Sequence, residues 1–226
     1  MDALYASIER NGFVMLRGAV PRAEIERVLA MLPQPSGPGL RGLVERCPES
    51  LGLLRSSVFA DAVSDVIGNR WRIVRSILFD KSACANWSVT PHRDQTIAVR
   101  ERCEVSGFGP WSMKEGTPHV RPPPELLDAM LTARVHLDAA DESNGALLVW
   151  PGSHAGNSSE EADPVCCVAA PGDVLLMRPR LLHASKKAER ATRRRVAHFE
   201  LASSDLPPPL MWAEAIDAGQ RPWTSR

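Results

Sequence analysis

The sequence predicts a mainly β domain, a sandwich or jelly-roll barrel of short strands behind an N-terminal layer of helices. Three observations carry that expectation. Before residue 68, apolar residues recur at helical spacing, as in Ile25, Val28, Leu29 and Leu32. After residue 71 they fall in short alternating or continuous blocks, separated by Asn144-Gly145, Pro151-Gly152 and Pro171-Gly172-Asp173, pairs that favour turns. Helices and strands are segregated along the chain, which argues against a βαβ arrangement.

In order, residues 1–11 read as a short helix broken by Asn11-Gly12, and Phe13-Val14-Met15-Leu16 as a strand. A helix follows Pro21. Residues 33–41, with three prolines and two glycines, read as a loop. A further helix covers 57–67, with Gly68 at its C-terminus. Strands are expected over 71–79 and over 84–99, the latter interrupted at Pro91. Residues 103–124 read as an irregular insertion, and a short helix starts at Pro124. Strands then cover 133–138, 146–150, 165–168, 173–177 and 195–201. The whole chain, 1–226, is expected to be one domain: a helical layer over 1–68, a β core over 71–201 and a Pro-rich irregular tail over 203–226.

Composition excludes several classes. Lys+Arg and Asp+Glu are both 27, so the zero net charge offers no footprint for nucleic acid or an anionic membrane. Five cysteines with no CxxC spacing favour a reduced, cytoplasmic setting over a disulfide framework. The N-terminus lacks the apolar run of a signal peptide, and no stretch approaches the ~20 apolar residues of a membrane span.

The chemistry concentrates in Pro91-His92-Arg93-Asp94-Gln95-Thr96. At strand period two, His92 and Asp94 share a face and Arg93 points away. An imidazole and a carboxylate side by side are two parts of a 2-His-1-carboxylate triad, the site that holds non-haem Fe(II) with open positions. His183 in Leu181-Leu182-His183-Ala184-Ser185 is the candidate for the third ligand. A second pair, His136-Leu137-Asp138, has the same spacing, and iron chemistry would accept either. Trp87 and the polar Asn86 and Gln95 nearby tilt the choice toward the first pair without deciding it. The His-Arg-Asp run is not a kinase catalytic loop, since the Leu and Asn of that motif are missing. No HExxH helix for zinc hydrolysis exists either. Downstream, Arg193-Arg194-Arg195 enters a strand; such a run is usually a solvated edge, but one arginine turned inward would hold a carboxylate in bidentate fashion. Alternation places Arg194, Val196 and His198 on one face and Arg193, Arg195 and Ala197 on the other.

Taken together these pieces resemble the phytanoyl-CoA dioxygenase family of Fe(II)- and 2-oxoglutarate-dependent oxygenases. The resemblance covers about 10–212. It runs through Asn11-Gly12-Phe13-Val14, Asn86-Trp87, the His92–Thr96 stretch, Gly107-Phe108-Gly109-Pro110-Trp111 and Arg134-Val135-His136-Leu137-Asp138. It continues with Asn144-Gly145, Pro151-Gly152-Ser153-His154, Gly172-Asp173, His183-Ala184-Ser185 and the arginine-led last strand. It implies a double-stranded β-helix, a cupin-like jelly roll, with His92, Asp94 and His183 as metal ligands and His136 and Asp138 in a structural or pocket-lining role. It also implies that Arg194, eleven residues beyond the distal histidine, anchors 2-oxoglutarate together with Ser185, with Arg193 or Arg195 as alternatives. Asn86 and Trp111 are expected in the cofactor pocket, and His154 beside it. Arg93 and Trp150 depart from the family pattern; Trp150 is expected to narrow the pocket.

The activity implied is hydroxylation of a small molecule with Fe(II), O₂ and 2-oxoglutarate, releasing succinate and CO₂. A cupin-type metalloenzyme that does not use 2-oxoglutarate would use the same ligands, and a non-catalytic binding relative is a further alternative, against which the intact triad argues. Halogenation is disfavoured because Asp94 is present, and neutral overall charge gives no support to an acyl-CoA groove built from Arg100, Arg102 and Arg121.

Overall fold

A computed structural model describes residues 2–33, 37, 39–156, 163–190 and 192–217. Helix α1 (Asp2–Asn11), strand β1 (Phe13–Leu16), helix α2 (Arg22–Met31), strand β2 (Gly39–Arg41) and helix α3 (Leu43–Arg46) form the first part. A 3-10 turn (Pro48–Leu54) and α4 (Ser57–Ile67) complete the helical layer. The β core comprises β3 (Arg72–Lys81), β4 (Val89–His92), β5 (Ile97–Ala98), β6 (Trp111–Lys114) and β7 (Thr117–Val120). After α5 (Pro124–Asp128) come β8 (Met130–His136), β9 (Leu147–Val149), β10 (Val165–Cys166), β11 (Val174–Met177), β12 (His183–Ser185) and β13 (Arg194–Ala202).

These strands form the expected jelly roll of two facing antiparallel sheets. The larger has the order β1-β11-β8-β13-β3-β2 and the smaller β10-β9-β12-β4; a third, β5-β7-β6, is built by the insertion. Helix α4 starts where the sequence expects it, because the Ser56 side chain accepts from the Phe59 amide, and it ends at Gly68.

The larger sheet has two chemically distinct faces. Its outer face presents Ile73, Val135, Leu137, Leu176, Ala197, Phe199 and Leu201 to Ile8, Ile25, Val28, Leu53 and Phe59 of the helical layer, and this is the main core. The opposite face of the same strands carries Arg75, Phe79, Arg134, Arg194 and His198 into the interior between the sheets. Period two along each strand thus separates an apolar core from a polar cavity.

Several expectations are corrected. Within the 33–41 loop, Gly39–Arg41 is a strand paired with β3, and residue 39 must be glycine because a Cβ there would strike the Leu78 carbonyl oxygen. Residues 34–36 and 38 of that loop lie outside the described residues. The strand expected over 84–99 is confined to β4 and β5; Ser82 and Ala85 exchange backbone hydrogen bonds in a tight turn instead. The insertion is less irregular than expected, since β6 and β7 form a hairpin whose tip puts Glu115 at a φ of 49°.

The tail is irregular in path but firmly seated as far as it is described, with 218–226 outside the described residues. Leu206, Leu210 and Trp212 are buried with Val74, Ile97, Val99 and Val120. Glu214 accepts from the Ser76 amide at 3.0 Å and from its hydroxyl at 2.6 Å. Ile216 bridges to Ile73. Trp212→Ala should therefore cost about 3–5 kcal/mol, the range for truncating a buried aromatic side chain. Urea denaturation checks this; a loss below ~1 kcal/mol would mean that the tail is only draped on the surface.

Candidate active site

The smaller sheet positions the metal-ligand candidates. Strand β12 lies between β4 and β9, and its register sets His183 opposite His92 on one side and Val149 on the other. Strand β4 ends at His92, and the chain beyond it is held by the Asp94 amide donating to the Pro179 carbonyl at 3.1 Å. The His92 and His183 rings lie 4.2 Å apart. His92 Nε2 is 3.9 Å from Asp94 Oδ1, and His183 Nε2 is 3.7 Å from Asp94 Oδ2. Among the described residues these three form the one group of His, Cys, Asp or Glu donors clustered tightly enough for a metal ion, all within 4.8 Å of one another.

The backbone fixes both imidazoles in the form a metal needs. His92 Nδ1 sits 2.9 Å from the Thr90 carbonyl and His183 Nδ1 2.8 Å from the Leu181 carbonyl. A carbonyl only accepts, so each Nδ1 carries the proton and each Nε2 keeps its lone pair toward Asp94. Burial pushes the His183 pKa down to about 4, although Asp94 pulls it upward, so this ring is neutral at pH 7. Two imidazoles whose Nε2 atoms converge on a carboxylate fit a divalent iron-group ion.

These three residues line a cavity of about 160 Å³ together with Arg75, Ile77, Phe79, Trp87, Val89, Arg134, Leu147, Ser185, Arg194 and His198. Of the three consecutive arginines, only Arg194 enters it. Arg193 is bound bidentately by Asp80, and Arg195 by Asp138. Arg194 Nε reaches the Asn144 carbonyl at 3.3 Å, and burial lowers its pKa to about 10, which leaves it charged. The Asn144-Gly145 turn can approach this closely because residue 145 has no Cβ, which would strike the Lys186 carbonyl, and because its φ is +72°. Ser185, one strand pair from His183, faces the same space.

Other expected site residues fall elsewhere. Asn86 does not line the cavity: its amide donates to the Ala188 carbonyl and accepts from the Ala188 amide, both at 2.8 Å, and so ties two loops together. Trp111 packs instead against the buried cluster that includes Ile97, Val99 and Val120, under the Arg102 guanidinium. His154 reaches the Glu9 carbonyl at 3.1 Å and lines a separate hollow with Arg93, Gln95, Arg121 and Arg180. Trp150 packs on Leu182 and Ala184, away from the cavity it was expected to narrow. In each case the backbone leaves a regular strand near the residue, and alternation no longer says where its side chain goes.

The rival pair is separated. Asp138 is consumed by Arg195, and His136 is buried outside the lining of the cavity, with neither ring nitrogen partnered. Burial, reinforced by Arg134 and Arg194, holds the His136 pKa near 3.

The sequence reading missed a set of buried cations. Lys81 lies over the Trp87 ring and donates to the Lys186 carbonyl; burial, with Arg194 and Arg134, lowers its pKa to about 8. Arg75 pairs with Glu200 at 2.6 Å, and Glu200 also faces His198 Nε2 at 3.7 Å. Burial alone would raise the Glu200 pKa, but Arg75 and His198 outweigh it and hold it near 2. The inward face of β3, read as Arg75, Ile77, Phe79, Lys81, was the available signal; which face looks inward needed the second sheet.

His136→Leu should keep metal binding and leave folding stability within ~1 kcal/mol, or raise it, because it removes an unpartnered buried polar group. His92→Ala should lose retention of Fe(II) through gel filtration. Metal analysis and urea denaturation of both variants check this, and the opposite pattern would move the ligand to β8.

Comparison with known proteins agrees with this geometry. Residues 49–196 match the model of the phytanoyl-CoA dioxygenase (PhyH) family. No curated protein sequence matches the chain. Among solved structures, HygX from Streptomyces hygroscopicus, with nickel and 2-oxoglutarate bound, is 17% identical with a TM-score of 0.66, over 90% of this chain and 87% of that one. EctD from S. alaskensis, with 2-oxoglutarate and 5-hydroxyectoine, is 19% identical with a TM-score of 0.66, over 90% and 76%. The non-haem epimerase SnoN of nogalamycin biosynthesis is 18% identical with a TM-score of 0.65, over 90% and 83%. At these identities the likeness is one of fold, the double-stranded β-helix. The family match spans well over half the chain, and the chain belongs to the phytanoyl-CoA dioxygenase family of Fe(II)/2-oxoglutarate-dependent oxygenases.

Proposed function

We propose that the protein is an Fe(II)- and 2-oxoglutarate-dependent dioxygenase that hydroxylates a small molecule, with release of succinate and CO₂. The observation that carries this reading is the shared cavity, lined both by His92, Asp94 and His183 and by Arg194 and Ser185. His92, Asp94 and His183 would hold the iron. Bound there, Fe(II) with 2-oxoglutarate and O₂ supplies the oxidising power that couples decarboxylation of the co-substrate to attack on a substrate C–H bond.

The chain's own residues do the rest. Arg194 offers a planar fork of donors to the distal carboxylate of 2-oxoglutarate, and the Ser185 hydroxyl donates to the same group. The low polarity around Arg194 strengthens that pairing relative to water. Ile77, Phe79, Trp87, Val89 and Leu147 form the apolar wall that excludes water from the reacting centre. The Thr90 and Leu181 carbonyls keep both imidazoles aimed inward, so the ligands are arranged before any metal arrives. The support for hydroxylation over halogenation is Asp94, a carboxylate standing where a halide would have to bind.

Succinate formation from 2-oxoglutarate, measured without added substrate, should require Fe(II) and occur as slow uncoupled turnover. Arg194→Gln should raise the 2-oxoglutarate concentration for half-maximal succinate formation at least tenfold, as expected when a charged hydrogen bond worth about 1.5–3 kcal/mol is lost. A change below twofold would remove Arg194 from the co-substrate site and favour a cupin enzyme that does not use 2-oxoglutarate.

A further inference from the structure

We infer that the substrate carries a carboxylate, held by Arg134 on the inner wall of the metal cavity. This rests on the function proposed above and adds to it a substrate class and a residue that recognises it.

Arg134 is set apart by what it lacks. It sits in the middle of β8, 7% exposed, and lines the cavity. Apart from Arg194, already assigned to the co-substrate, other buried or half-buried arginines of the larger sheet and its flanks have carboxylates: Arg75 has Glu200, Arg193 has Asp80, Arg195 has Asp138 and Arg178 has Glu9. Arg134 has none within ion-pair distance. Its guanidinium donates to the neutral acceptor His198 Nδ1 at 3.1 Å and lies 5.3 Å from the centre of the Phe79 ring. Its Nε is buried with no partner at all. A buried guanidinium with a free donor and no counter-ion is costly unless something arrives to meet it.

Neither iron nor 2-oxoglutarate supplies that counter-charge. The dication, the Asp94 carboxylate, the co-substrate dianion and Arg194 cancel one another. Arg75 and Glu200 cancel as a pair. Arg134 is left over, and Lys81 adds to the excess rather than relieving it. The count holds whichever cavity residue touches which carboxylate of 2-oxoglutarate. A planar, forked donor set in a dry pocket fits a carboxylate best.

Position separates this group from the co-substrate anchor. Arg134 is the register partner of His198, four residues along β13 from Arg194, so the two side chains leave the backbone ~13 Å of strand apart. The two carboxyl carbons of 2-oxoglutarate are only about 5 Å apart when extended, given ~1.5 Å per bond. There is room for the remainder of a substrate as well. A second cavity of about 250 Å³ shares Arg75, Ile77, Phe79 and Trp87 with the first and opens toward Leu40, Arg41 and Glu115. The substrate fitting both is a carboxylate whose body meets the apolar Ile77, Phe79 and Trp87 and, farther out, the charged Arg41 and Glu115.

Nickel(II)- and 2-oxoglutarate-loaded protein tests this by calorimetry, because nickel permits binding without turnover. The probes are acetate, butyrate, benzoate and 3-phenylpropanoate, each beside its neutral amide, with wild type, Arg134→Gln and Arg134→Lys. In wild type, at least one carboxylate should bind at least tenfold tighter than its amide. That preference should vanish in Arg134→Gln and survive in part in Arg134→Lys, while the affinity for 2-oxoglutarate shifts less than twofold. No carboxylate preference in wild type overturns the inference even if the variants fail to fold. So does a preference that survives in Arg134→Gln, or a tenfold loss of 2-oxoglutarate affinity there, which would make Arg134 part of the co-substrate site. If wild type takes up no 2-oxoglutarate in the loading step, the oxygenase reading itself fails and the inference falls with it. Normal loading without carboxylate preference sinks the inference alone.

Discussion

The antiparallel register between β4 and β12 is the constraint on which the site depends. It sets His183 across from His92, and the chain leaving β4 returns Asp94 to the same point through its amide bond to the Pro179 carbonyl. Because side chains alternate along a strand, a slip of one residue would turn His183 away and present Leu182 or Ala184 instead. Strand β12 is only three residues long, so its register is secured from both sides, by β4 and by β9. Ser153 adds a side-chain clamp, accepting from the Leu182 amide at 2.8 Å while its hydroxyl donates to the Trp150 carbonyl at 2.6 Å. The Pro151-Gly152-Ser153-His154 turn thus acts on the candidate site through the backbone rather than by contact with it.

The larger sheet solves a different problem, carrying charge inside a barrel. Its outer face is buried against the helices and supplies the hydrophobic stabilisation that most of the fold rests on. Its inner face can then be polar, and it carries Arg75, Glu200, His198 and Arg134 as a connected row across β3, β13 and β8. Glu200 serves two neighbours, the Arg75 guanidinium and the His198 ring, and so orients His198 to accept from Arg134. Pairing within the row keeps the buried charges affordable to the fold, except at its Arg134 end. The proposed function, which brings a dianion and a metal dication into this cavity, would need charged groups fixed in place beforehand, since preorganised dipoles and charges cost no reorganisation when the ligands bind.

Much of this was legible in the sequence, and the failures have one physical cause. The helical layer, the order of the core strands, and the candidacy of His92, Asp94 and His183 follow from periodicity, turn residues and donor chemistry. Alternation also singled out the face of β13 that holds Arg194. Alternation could not choose between His92/Asp94 and His136/Asp138, because both pairs obey it; the distinction lies in the tertiary partners, Arg195 for Asp138 and a closed interior for His136. Asn86 and Trp111 were misplaced because each stands beside an irregular segment, where a side chain's direction is set by local turns. Lys81 and Arg134 were overlooked for the opposite reason. They obey strand alternation, but a cation in a strand is usually a solvated edge residue, and only the second sheet shows that these face a cavity.

The most direct test of the central claim is the visible absorption of the protein after anaerobic addition of Fe(II) and 2-oxoglutarate, recorded for wild type, His92→Ala and His136→Ala. A metal-to-ligand charge-transfer band in wild type and in His136→Ala, absent in His92→Ala, is the predicted result, since it requires the iron, the co-substrate and the β4–β12 ligands together. A band that survives in His92→Ala and disappears in His136→Ala would place the metal on β8. Wild-type protein that retains iron but develops no band would contradict the use of 2-oxoglutarate.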